Sequence, residues 1–206
     1  SPRVSAAGEM VAAARRIFAI VDTDPPVVEP TAPSPRPERF DIRFKGVGFS
    51  YPGSSTPAVA DIELDVPQGT RAAVIGATGS GKSTLFNLLL RFWEPDAGDI
   101  SIGGHSIASF RGDDLRSHIA VVSQQTYLFD TTIRENLQIA ARGATQEAIE
   151  AACRVAQIHD FISELPDGHG TWGGGTGVRL SGGQARRIAV ARALLAADPS
   201  GLRAEP

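Results

Sequence analysis

Apolar residues recur along this chain at two different periods, and the change from one to the other divides it. Over residues 8–21, GEMVAAARRIFAIV, the residues Met10, Ala14, Ile17, Phe18 and Val21 fall on one helical stripe. Arg15 and Arg16 fall off it, so residues 1–24 are expected to hold an amphipathic helix that seeks a partner surface. From Phe40 the period shortens to two: Phe40, Ile42 and Phe44 alternate with polar residues, as in a half-buried strand, and IELDV at 62–66 repeats the pattern. RAAVIG (71–76) is a short apolar run that predicts a strand leading into a Gly-rich turn and the helix LFNLLLRF. DISIGG (99–104) and HIAVVS (118–123) predict further strands. After residue 131 the period returns to 3.6, in TQEAIEAACRVA and ARRIAVARALLAA. TIRE at 132–135 and SGGQ at 181–184 have capping-box spacing. No internal repeat stands out. The order of elements predicts an α/β fold with a mixed sheet and a helical subdomain at about 125–180.

Between these regions lies DPPVVEPTAPSPRPE, with six prolines between positions 25 and 37. Proline fixes φ and removes a donor, so residues 25–38 are expected to form a semi-rigid extended linker, with the main domain at 39–206. The formal charge of -3 gives no basic excess, so nucleic acid is not an expected partner. The single Cys153 excludes an internal disulfide and fits a reducing compartment. No apolar run approaches the ~18 residues that span a bilayer. The first residue is Ser, which predicts a fragment or a processed product. Only two of the basic residues are lysines, and one of them, Lys82, falls in the most informative motif.

That motif is GATGSGKS at 76–83, which fits G-x-x-x-x-G-K-[ST] after a predicted strand. Gly76, Thr78, Gly79, Ser80 and Gly81 form a loop whose backbone amides can turn inward around a phosphate. The helix from Lys82 points its free N–H groups and positive dipole end at the same anion. Lys82 reaches the terminal phosphates as a point charge, Ser83 can hold Mg²⁺, and Thr84 can add an α-phosphate contact. A Gly-rich turn that merely starts a helix is the alternative; the strand–loop–helix context favours the phosphate site.

A second motif narrows the field. RLSGGQARRIAVARALL at 179–195 closely resembles the signature helix of ABC-type ATPases. With the phosphate loop, it makes the chain resemble, over about residues 40–199, the nucleotide-binding domain of an ABC transporter. The resemblance implies a P-loop ATPase fold, the cofactors ATP and Mg²⁺, and a set of site residues. Tyr51 matches the aromatic residue that stacks on adenine. Gln124 matches the glutamine that reaches Mg²⁺ and the attacking water; its neighbour Gln125 is the lesser candidate. Leu180, Ser181, Gly182, Gly183 and Gln184 match the signature, which caps the γ-phosphate held by a second subunit. A head-to-tail dimer around two nucleotides is therefore expected. Arg186, Arg187 and Arg192 are expected on the solvated face of that helix.

TYLFDTTIRENL (126–137) and the N-terminal ARRIFAIVD with its proline linker resemble the exporter class. They imply a transmembrane-domain partner and a place on the cytoplasmic face of the cell membrane. RFWEPDAGDI and GTWGGGTGVRLSGGQ also resemble the cysteine/glutathione exporters of cytochrome bd assembly. Two alternatives stand beside a catalytic exporter domain: the non-catalytic half of a heterodimeric transporter, and a soluble ABC ATPase without transport.

Two departures from the family pattern matter. Gly175 stands where many exporters carry an acidic or amide residue, which removes a side chain from a loop that meets the membrane domain. Counting from Ser181, the family's Asp-Glu pair falls on Ala204 and Glu205. The Mg²⁺-linked Asp is therefore lacking, and Glu205 is the only candidate base. Ser200, Gly201, Leu202 and Arg203 replace an apolar run, although a central strand buried on both faces is continuously apolar. His105, His118, His159 and His169 all precede the expected switch histidine and are read as surface or packing residues. The domain is thus expected to be incomplete at the C-terminus, weak in hydrolysis and marginal in stability.

Overall fold

A computed structural model describes residues 14–15, 18–19, 27–123, 126–174 and 180–197. The chain divides into two compact units, Ser1–Gly112 and Asp113–Pro206.

The first unit is built on a four-stranded sheet. Its strands are β1 (Ile42–Phe49), β2 (Val59–Val66), β3 (Ala97–Ile102) and β4 (His105–Ser106), in spatial order β2-β1-β3-β4. All three pairings are antiparallel, and β1 at the centre sets Phe44 opposite Leu64 on one side and Ile100 on the other. Phe44 and Val47 are three residues apart, out of phase with a strand's alternation, yet both are buried. Register shifts between them on β1 absorb the extra residue and bring both to one face. That face, with Phe49, Val59, Ile102, Ile107 and Phe110, forms the core of the unit together with Leu88 of α1 (Lys82–Leu89).

Helix α1 ends in paired bonds, Arg91 N–H to Leu88 O (2.9 Å) and Phe92 N–H to Asn87 O (3.0 Å), with Arg91 at φ 55. This closure satisfies two terminal carbonyls through one left-handed residue. The proline-rich residues from 27 onward are fastened to the same unit. Ser34 N–H donates to Ser109 O at 2.7 Å, and Gly112 N–H donates to both Glu29 carboxylate oxygens at 3.1–3.2 Å.

Residues 71–76 and 118–123 depart from their expected strands. Neither joins a ladder among the described residues; Ile75 is 90% exposed and Val121 55%. A central strand exists through hydrogen bonds to neighbours on both edges. The segment expected in mid-sheet beside them, from Ser200, lies outside the described residues.

The second unit is helical: α2 (Gly112–Ser117, with its first residue at the boundary), α3 (Ile133–Gln138), α4 (Gln146–Val155), α5 (His159–Ser163) and α6 (Gly182–Ala197). Three of these fall within the expected helical subdomain. Helix α3 starts at the expected capping box, Thr132 with Glu135, and Thr145 caps α4 by accepting from Ala148 N–H. Helix α4 turns Ala148, Ile149, Ala152 and Cys153 inward, against Ile188, Ala191 and Leu195 of α6 and Ile133, Leu137, Ile158 and Ile162. Buried Asn136 staples the preceding turn: its Oδ1 accepts from Phe129 N–H (2.8 Å), and its Nδ2 donates to Phe129 O and Thr132 O (both 3.0 Å). Thr132 bridges to Trp172, so residues 171–174 lie against this turn. A Cβ at Gly174 would stand 2.2 Å from Asp130 Cα, so only glycine fits.

Most of the expected N-terminal helix lies outside the described residues. Ala14, Arg15, Phe18 and Ala19 are helical, and Phe18 is exposed.

Candidate nucleotide-binding site

The loop at 76–83 has the backbone that a phosphate cradle needs. Gly79 and Gly81 lie at φ 85 and 86, in the left-handed region that favours glycine. Gly81 is also held tight against its surroundings: a Cβ there would stand 2.5 Å from Ala58 O and 2.6 Å from Val59 Cγ1. It caps α1 without any side-chain hydrogen bond, and the first helical bond runs from Leu85 N–H to Gly81 O at 3.1 Å. The first-turn amides therefore carry no side-chain cap, which leaves a donor cluster with a positive dipole end.

Lys82 Nζ donates to Gly76 O (2.9 Å) and Ala77 O (2.7 Å) and approaches Ser80 Oγ at 3.5 Å. The ammonium thus folds over the loop it belongs to and ties both ends together. A Cβ at Gly76 would meet Ser80 Oγ at 2.6 Å, a contact that turning the Ser80 hydroxyl relieves. Thr78 and Ser83 are exposed, and Ser83 stands in the first turn of α1. The donor set fits a Mg-nucleotide: backbone amides and an ammonium for the phosphates, and a hydroxyl oxygen for a hard cation.

Thr84 is buried, with its Oγ1 3.3 Å from the Tyr51 hydroxyl, and Asn87 Nδ2 donates to that hydroxyl at 3.4 Å. Tyr51 packs edge-on to Phe49 (centroids 4.9 Å) and Trp93 (5.7 Å). The structure thus brings the expected adenine-stacking residue to the phosphate-loop helix. No local pattern signals the Thr84–Tyr51–Asn87 contact, which joins residues 33 and 36 positions apart.

The second unit holds the signature. Leu180 packs against the helical core. Ser181 and Gln184 form the expected reciprocal cap of α6: Ser181 N–H donates to Gln184 Oε1 (2.8 Å), and Gln184 N–H donates to Ser181 Oγ (3.2 Å). Gly182 and Gly183 are exposed, and a Cβ at Gly182 would touch nothing within 4 Å. Glycine at 182 is not required by internal packing; it leaves the helix end open to approach from outside. A cleft of about 330 Å³ borders it, lined by Thr126, Gly182, Gly183, Ala185 and Arg186.

Arg186 is exposed as expected, but Arg187 and Arg192 are half-buried. Arg192 donates to Tyr127 O from Nη1 at 3.4 Å and from Nη2 at 3.5 Å. His169 is buried, with its Nε2 3.8 Å from the thiol of Cys153. Burial pushes the Cys153 thiol up to about 12 and, with Arg134 nearby, holds His169 below its ordinary value. These two are packing residues of the helical unit. No cluster of metal-ligating side chains occurs among the described residues. Gln124, Gln125, Gly175, Ala204 and Glu205 lie outside the described residues.

Comparison with known proteins agrees with these two motifs. The profile of the family described as ABC transporter matches residues 59–202, well over half of the chain. The chain is 45% identical over 192 residues to the ATP-dependent lipid A-core flippase of Thiobacillus denitrificans, covering 92% of this chain and 33% of that protein. It is 42% identical over 186 residues to the ABC multidrug transporter mdr2 of Aspergillus fumigatus, covering 90% of this chain and 23% of that protein. Among solved structures, a bacterial Atm1-family ABC exporter with ATP bound matches at a TM-score of 0.83 and 35% identity, over 90% of this chain and 33% of that one. The chain spans about a third or less of the length of these relatives. The chain belongs to the ABC transporter family and carries its nucleotide-binding ATPase domain.

Proposed function

We propose that this chain binds Mg-ATP as the energy-coupling domain of a membrane exporter. The observation that carries the reading is the uncapped start of α1 behind a left-handed Gly79–Gly81 loop, with Lys82 folded over it. Gly76, Thr78, Gly79, Ser80 and Gly81 cradle the phosphates, Lys82 neutralises them, and Thr84 supports the α-phosphate end. Tyr51 offers a ring to the adenine. Ser83 and Gln124 would hold Mg²⁺, which neutralises charge on the β- and γ-phosphates.

Leu180, Ser181, Gly182, Gly183 and Gln184 present a second anion-binding helix end, and its openness suits a nucleotide carried by another copy of the domain. A head-to-tail dimer, a transmembrane-domain partner and a location on the cytoplasmic face of the membrane complete the reading. The relatives named flippase, multidrug transporter and exporter support it over a soluble ATPase without transport. A narrower assignment to the cysteine/glutathione exporters rests on RFWEPDAGDI and GTWGGGTGVRLSGGQ alone, and a transport assay with reduced glutathione tests it.

Because Ala204 stands where the family has its Mg²⁺-linked Asp, hydrolysis by this chain alone is slow, with Glu205 as the candidate base. Sedimentation with and without Mg-ATP tests the dimer. The wild type sediments as a dimer with nucleotide, and Ser181→Arg stays monomeric. A wild type that stays monomeric at saturating Mg-ATP refutes the shared site. Single-turnover hydrolysis as fast as that of a complete homologous domain refutes the weak-hydrolysis reading.

A further inference from the structure

We propose that Arg91 is a positioning residue: it clasps residues 28–34 of the proline-rich segment to the far end of α1, and so couples the hold on that segment to nucleotide affinity. The inference rests on the nucleotide reading of the phosphate loop and goes beyond it.

The backbone raises the question. Arg91 closes α1 at φ 55, in the position where this closure most often carries glycine. A residue with a Cβ is strained there, and strain persists where the surroundings use the side chain. Arg91 is 3% exposed. Its Nη1 donates to Phe110 O at 2.6 Å, and its Nη2 donates to Val28 O at 2.5 Å and Glu94 Oε1 at 3.1 Å. Glu29 Oε2 lies 3.9 Å from Nη1. A planar fork reaches acceptors on three separate stretches of chain, which a lysine's single ammonium on a flexible stem does not match.

The contacts then spread from this hub. The Glu29 carboxylate that faces Arg91 also accepts from Gly112 N–H. Six residues after Val28, Ser34 is tied to Ser109 through its amide (2.7 Å) and through paired hydroxyls (2.8 Å). The segment is thus fastened at both ends, and one guanidinium joins it to α1. The opposite end of that eight-residue helix is the uncapped start that faces the phosphate loop. A ligand that orders α1 from its first turn steadies the platform on which Arg91 stands; opening the clasp loosens that platform. Such coupling is reciprocal: whatever factor the clasp contributes to nucleotide affinity, the nucleotide returns to the clasp.

Two amides report on the clasp directly, Ser34 N–H and Gly112 N–H. Their hydrogen exchange is followed by NMR in the 206-residue chain, with and without saturating Mg-AMP-PNP. Nucleotide affinity is titrated in parallel for the wild type, Glu29→Gln and Arg91→Gly. Arg91→Gly relieves the backbone while deleting the fork. Glu29→Gln alters a side chain that is more than half exposed and leaves the core intact, so it decides alone where Arg91→Gly does not fold. Nucleotide is expected to slow exchange at both amides about fivefold or more, and each variant to weaken nucleotide affinity by about the same factor. Unchanged affinity in the variants, with exchange insensitive to nucleotide, overturns the coupling while leaving the nucleotide site standing. Failure of the wild type to bind nucleotide overturns the site, and the coupling with it.

Discussion

Replacing Gly81 and Gly79 separately by Ala tests the cradle most sharply, because the two share one backbone conformation and differ in their surroundings. Both lie near φ 85. A side chain in the left-handed region costs about 1–2 kcal/mol. At Gly79 a Cβ meets nothing within 4 Å, so that strain is the whole cost. At Gly81 the Cβ meets a backbone oxygen at 2.5 Å and a methyl at 2.6 Å. Relief requires moving the chain at Ala58–Val59, where β2 begins, or the start of α1, a further overpacking cost of about 1–3 kcal/mol. With ~3 °C lost per kcal/mol for a chain of this size, Gly79→Ala is expected to lower Tm by roughly 5 °C and Gly81→Ala by roughly 10 °C. Trp93 stands beside Tyr51 in the first unit, and its fluorescence in a Trp172→Phe background follows that unit alone. Equal losses at the two glycines, or a larger loss at Gly79, refute the reasoning.

Four further outcomes follow from the helical unit. Asn136→Ala leaves Phe129 N–H and three carbonyls without their side-chain partner and is expected to cost about 2–3 kcal/mol in urea unfolding; a change within about 0.5 kcal/mol refutes the staple. Native Cys153 is expected to resist iodoacetamide at pH 8 and to react once urea opens the unit, since its thiol is pushed up to about 12. The same shift makes its stabilising contribution complete below the unfolded value near 9 and lost as pH rises from there towards 12, so unfolding midpoints fall over that window. His169 acts in the opposite direction. Its folded value lies below 6.5, so its contribution is present above 6.5 and is lost as pH falls through the folded value, an effect that His169→Gln removes.

Much of this architecture is legible in the sequence where the determinants are local. Alternation at Phe40, Ile42 and Phe44 and in IELDV marks two strands, and Thr132–Glu135 and Ser181–Gln184 mark two helix starts through bonds that span three residues. The glycine spacing of the phosphate loop likewise encodes its own dihedral angles. What the sequence hides depends on partners far along the chain. RAAVIG and HIAVVS are apolar enough for strands, but a strand exists only with its ladder, and neither has one among the described residues. Residues 25–38 read as a semi-rigid linker because proline content reports local stiffness. Their attachment runs through backbone carbonyls and one arginine inside LLLRF, whose charge points to solvent until Val28, Phe110 and Glu94 are placed around it.

The central claim, that the loop at 76–83 holds Mg-ATP, is tested most directly by equilibrium titration of the 206-residue chain with a fluorescent ATP analogue and Mg²⁺. The wild type is compared with Lys82→Ala, and a melting control accounts for the lost bonds to Gly76 and Ala77. The account predicts saturable binding to the wild type and at least ~10-fold weaker binding to the variant, the equivalent of losing about 1.4 kcal/mol. Equal affinity in a folded variant, or no binding by the wild type, contradicts it.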